Sequence, residues 1–119
     1  MANEIIKFTE QEYFKFSGEK LSEVLPKTPH TDQADIFIDF VCKEIDRYLK
    51  RVNIRLLRDG IESLSDFQKE TIKEACLNHA MDRLMTGKTY YDENTKSPKL
   101  ISISESVKEI LNPLIYRGI

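Results

Sequence analysis

The sequence is short of residues that break helices. Glycine and proline occur only four times each in 119 residues, and Gly18, Gly60 and Gly87 fall after or between periodic segments, as helix caps and turns should. Long intervals are therefore free to be helical. Cysteine is scarce too, with only Cys42 and Cys76 present. The opening Met1-Ala2-Asn3-Glu4 has neither the basic nor the apolar character of a secretory signal, so free thiols in a reducing compartment are expected. No apolar run approaches the ~18–20 residues that a bilayer demands; the richest, Ile36 to Cys42, is interrupted by Asp39. Nor does one sign of charge dominate. Eighteen basic against twenty acidic side chains leave a net charge of −2, which argues against binding by wholesale phosphate neutralisation. What remains is 40% apolar and 32% charged, the composition of one soluble domain over residues 1–119.

The periodicity predicts a mainly α fold, a small bundle of about four helices with a long loop or short β-ribbon between the last two. Thr9 and Glu12 form a capping box for a first helix that stops at Gly18, with Phe8 stapled on Tyr13. Residues 19–30 read as an irregular connection from which Leu21, Val24 and Leu25 tuck inward. The second helix is capped by Thr31 or Asp32 and runs to Arg51 or Val52, burying Ala34, Phe37, Ile38, Val41, Ile45, Tyr48, Leu49 and Val52 on one stripe. Ile36 and Phe40 lie outward one turn apart, which makes them candidate interface residues. The third helix starts at the capping box Ser65–Gln68 and ends at Gly87. Its apolar residues change sides, from Phe67, Ile72 and Ala75 to Leu77, Ala80, Met81, Leu84 and Met85. Residues 88–103 form a connection longer than loops in compact domains usually are. In it, Thr89 to Tyr91 and Lys99 to Ile103 are a candidate ribbon, and Tyr90 and Tyr91 are candidate contacts between subunits. The last helix begins near Ser102 or Ser104 and buries Val107, Ile110, Leu111 and Leu114. Pro113 then distorts it.

Catalytic and metal chemistry find little support in these residues. Cys76-x-x-His79, with Cys42 and His30, is the nearest approach to a zinc set, but no second ligand pair has recognised spacing. Cys76 lies among Ala75, Leu77 and Ala80, the habitat of a core thiol. No nucleophile elbow and no phosphate-cradling glycine loop occurs, and Asp35 and Asp39, one turn apart, suit pairing with bases better than acid–base work. No catalytic residue, metal ligand or cofactor is assigned. Lys43, Arg47 and Lys50, continued by Arg51, Arg55 and Arg58, make a basic stripe diluted by Glu44 and Asp46. Bases near a helix C-terminus complement its dipole, so a solvated stripe is preferred to a phosphate grip. No helix has the clustered Asn, Gln and Arg of a sequence-specific DNA reader.

The order of elements carries a resemblance. A short helix over Thr9 to Ser17 precedes the helix ending Ile45-Asp46-Arg47-Tyr48. The helix through Lys73-Glu74-Ala75-Cys76-Leu77 follows, then a long polar loop, a closing helix and the final Leu114-Ile115-Tyr116-Arg117-Gly118-Ile119. Over residues 8–119 the chain resembles the small head–tail connector (adaptor, or head-completion) proteins of tailed bacteriophages. The resemblance implies a helical subunit made in the bacterial cytoplasm and placed in the virion at the head–tail interface. Such subunits form a ring, commonly dodecameric, that docks beneath the portal protein, extends the DNA channel and meets a stopper or tail completion protein. DNA passes through without sequence-specific binding. The resemblance makes residues 114–119, with Leu114, Ile115, Tyr116 and Arg117, a candidate portal-docking tail, and lets Lys43, Arg47 and Lys50 face the channel or a neighbouring subunit. A small helical regulator or nucleic-acid-binding accessory module is the alternative.

Overall fold

The computed structural model describes residues 5–25, 33–87, 91–92, 97–98 and 103–115, with backbone alone at 33, 85–87 and the strand residues. The described elements are α1 (Glu10–Ser17), α2 (Leu21–Val24), α3 (Gln33–Val52), α4 (Ile54–Asp59), a 3-10 turn (Ile61–Ser63), α5 (Asp66–Gly87), β1 (Tyr91–Asp92), β2 (Ser97–Pro98), α6 (Glu105–Leu111) and a second 3-10 turn (Asn112–Leu114). The fold is a small helical bundle. The long helices α3 and α5 pack together at its centre, and α6 packs on α5.

Local chemistry sets the helix ends. Thr9 accepts from the Glu12 amide while Glu12 accepts from the Thr9 amide, closing the expected capping box. The Phe8 and Tyr13 rings lie 6.0 Å apart as its staple. Gly18 ends α1 at φ 81°, a left-handed conformation that a Cβ disfavours. Ser65 and Gln68 exchange the same pair of bonds at the start of α5, and Ser104 caps α6 through the Val107 amide. Pro113 sits in the 3-10 turn that ends the last helix. The expected caps Thr31 and Asp32 lie outside the described residues.

Several expectations are corrected. Residues 21–24 form a helical turn, because Leu21 and Leu25, four apart, both reach the core; Val24 is exposed instead. The chain between α3 and α5, for which no element is expected from the sequence, turns helical as α4, where Asn53 caps the Leu56 amide and Leu56 is buried. Gly60, at φ 76° and ψ −175°, redirects the backbone after it in a conformation that favours glycine. The buried residues of α5 do not change sides. Ile72, Ala75, Cys76, His79, Ala80 and Arg83 are all buried, and at 100° per residue they form one continuous stripe. Phe67 belongs to no buried face and is 81% exposed. The ribbon is shorter than expected and closer to its turn, with Tyr91 opposite Pro98 and Asp92 opposite Ser97. Ile103, expected at the end of the second strand, lies outside it and is half-buried against the core.

Among the described residues, no helix is long and apolar enough to cross a membrane.

Candidate functional site

Three features stand apart from an ordinary apolar bundle. The first is charge enclosed between α3 and α5. Glu44 Oε1 accepts from Arg83 Nε at 2.7 Å, Glu44 Oε2 accepts from Arg83 Nη2 at 3.3 Å, and His79 Nε2 lies 3.0 Å from Oε1. All three side chains are buried. Burial pushes the Glu44 carboxyl up, but the bonds from His79 and Arg83 outweigh it and hold the group below its ordinary value. Glu44 is therefore an ionised acceptor, which makes Nε2 the protonated nitrogen of His79. A buried ion pair of this kind adds little net stability against an apolar replacement, but removing one partner strands the other. The Phe40 ring closes the cluster, with the Arg83 guanidinium 4.5 Å from its centroid.

This arrangement revises two sequence expectations. Glu44 is no diluent of a solvated stripe, and Phe40 is half-buried rather than open. Both lie on the flank of α3 that the second half of α5 covers. The signal was present: His79 and Arg83 stand one turn apart at core positions of α5, and Glu44 follows Phe40 by one turn on α3.

Cys76 and His79 are separated by the fold. His79 faces Glu44, whereas Cys76 meets Cys42 across the helix interface, and both cysteines are free and buried. The hydrogen bond with Cys42, together with burial, holds the Cys76 thiol well above its ordinary value. Among the described residues no group of three or more His, Cys, Asp or Glu side chains is placed to hold a metal. His30 lies outside them.

The second feature is a basic groove of about 680 Å3 between α3 and α6, whose described lining is Glu44, Arg47, Tyr48, Arg51, Val52, Ile103 and Lys108. Arg47 and Arg51 are exposed, and the Lys108 ammonium stands 5.9 Å from the Tyr48 ring centroid. Of the predicted stripe, Arg47 and Arg51 line this groove. Lys43 pairs with Asp39 at 2.8 Å and Lys50 with Asp46 at 2.9 Å, both four residues apart on α3. Such pairs are worth about 0.3–0.5 kcal/mol.

The third feature is apolar surface left open at both ends of α3. Near its start, Ile36 is 42% exposed beside a groove of about 540 Å3. Beyond its end, Ile54 and Leu57 of α4 are each 54% exposed.

The candidate docking tail is corrected at its root. Leu114 is a core residue, and its carbonyl accepts from Asn53 Nδ2 at 2.8 Å in a buried bond spanning 61 positions. Ile115 is half-buried against the same region. Pro113 bends the chain without releasing it, since Leu114 and Ile115 stay packed. Tyr90, Tyr116 and Arg117 lie outside the described residues, and Tyr91 is described only as backbone in β1. No family model matches the chain, and neither does any curated protein or solved structure, so these features are interpreted from their own chemistry.

Proposed function

We propose that the protein is a structural phage assembly subunit, a ring-forming head–tail connector that docks beneath the portal and extends the DNA channel toward the tail. The observation that carries this reading is the apolar surface at both ends of α3. Ile36 lies sixteen residues before Val52, which at 1.5 Å per residue is about 24 Å along the axis, and α4 lies beyond that point. A subunit that exposes two different apolar patches can join its copies head to tail, and such contacts close into rings when the rotation allows. The resemblance in element order supports the same role. It asks for no catalytic group, and it would place the assembled ring in the virion. With Leu114 in the core, the proposed portal contact falls on residues 116–119, which lie outside the described residues.

The groove carrying Arg47, Arg51 and Lys108 favours a second reading, a small helical module that binds nucleic acid. Native mass spectrometry and electron microscopy across a concentration series separate the two. The connector reading expects closed rings of one stoichiometry and weak DNA binding at most. A monomer or dimer that binds duplex DNA tightly, with a steep salt dependence, supports the accessory module and overturns the connector.

A further inference from the structure

We infer that the two open patches are the two halves of one interface, so that α4 of each subunit docks into the groove between the N-terminal segment and the start of α3 on the next copy. This inference rests on the ring-forming part of the proposed function and adds which surfaces meet.

The shapes and charges on the two sides complement each other. On α4, Ile54 and Leu57 stand one turn apart and exposed, with Arg55 and Arg58 exposed beside them and Leu56 turned into the core. The helix therefore presents a narrow apolar ridge with a basic flank, Arg58 also bonding Asp59. The groove at the other end has the opposite character. Its lining includes Ile38 and the exposed Ile36 together with Glu10, Asp35, Asp39 and Lys7. Asp39 is shared between Lys7 at 2.9 Å and Lys43 at 2.8 Å, and the Glu10 and Asp35 residues are exposed. An apolar ridge flanked by arginines thus meets apolar groove residues flanked by three carboxylates and one lysine. This pairing favours one register and disfavours patch meeting like patch, since groove on groove brings carboxylates together and ridge on ridge brings arginines together.

The patches also belong to different elements, so using one leaves the other open. A second copy can bind at each end, which is the condition for a chain of subunits that closes into a ring. Neither patch is needed to fold the subunit that carries it, because Leu56 and Ile38 fix the same elements from inside.

A mixing experiment tests this directly. Leu57→Asp disables the ridge and leaves the groove; Ile36→Asp disables the groove and leaves the ridge. Each variant alone is expected to stay monomeric by native mass spectrometry at concentrations where the wild type assembles. Their mixture is expected to give a one-to-one dimer that grows no further. The surface variants Arg55→Glu and Glu10→Lys, which touch no core residue, guard against loss of folding in the aspartate pair. Each is expected to weaken assembly alone, and mixing them is expected to recover it. Assembly of both aspartate variants like wild type, or a mixture that stays monomeric while wild type assembles, overturns the pairing and leaves the ring reading standing. A wild type that stays monomeric up to millimolar subunit concentration overturns both.

Discussion

The interior between α3 and α5 and the surface of α4 break the ordinary rule of burial in opposite directions. Inside, Glu44, His79 and Arg83 are charged or polar and enclosed, yet Glu44 bonds both of the others, with His79 Nδ1 left without a hydrogen-bond partner among the described residues. Outside, Ile54 and Leu57 are apolar and open to solvent. The first departure is closed within a single subunit, because the Glu44 and Arg83 charges are paired and Phe40 covers the pair. The second is incomplete, because nothing described in the subunit covers it. Enclosed charge that is paired speaks to folding, whereas apolar surface left uncovered speaks to association.

The sharpest way to break this contrast is to disturb the interior. Glu44→Gln leaves the Arg83 guanidinium buried without its counter-charge, and a loss of about 3–5 kcal/mol in unfolding free energy is expected by urea denaturation. A change under 1 kcal/mol would mean that the cluster is open to water and does not belong inside. Leu114→Ala comes next, with an expected loss of about 2–5 kcal/mol for a buried leucine. The same measurement separates a core Leu114 from a detachable tail, which would lose almost nothing.

Acid gives a smaller and more selective effect. The Glu44 carboxyl in the folded state sits below its ordinary value of 4.5. Its contribution is therefore fully present above that value and fades as pH falls through the folded one. The difference in stability between wild type and Glu44→Gln should shrink as pH falls below about 4.5. Carboxylates such as Glu12 and Asp39, also held low by lysine partners, remain in both proteins and drop out of that difference. A difference that stays constant down to pH 2 would place the Glu44 charge outside the cluster. Smallest of all is the expected effect of Leu57→Ser on the dilute subunit, within about 0.5 kcal/mol of wild type. A loss of 2 kcal/mol or more would make α4's outer face part of the fold.

The elements that announce themselves locally were legible in the sequence. Thr9 with Glu12, Ser65 with Gln68, and Ser104 three residues before Val107 carry their capping partners within one turn, and α3 follows its apolar stripe. The expected bundle holds for that reason. What escaped depends on partners distant in sequence. Arg83 looks like a surface residue until Glu44, 39 positions earlier, is seen to meet it, and counting only apolar residues on α5 turned one buried stripe into an apparent change of side. Leu114 reads both as a buried residue of the last helix and as the root of a tail after Pro113, and its burial with the Asn53 amide on its carbonyl decides for the first. Ile36 was legible as an outward apolar residue because its neighbours on the helix define the buried side so clearly. Phe40, one turn on, was not, since its cover comes from Arg83.

Hydrogen exchange of the backbone amides as a function of subunit concentration tests the inside–outside distinction most directly. With rising concentration, the amides of Ile54–Asp59 and those at the start of α3 are expected to gain protection together, while amides around His79 and Arg83 stay as they were in the dilute subunit. Protection that does not change with concentration, or that rises only along the groove between α3 and α6, would contradict the account.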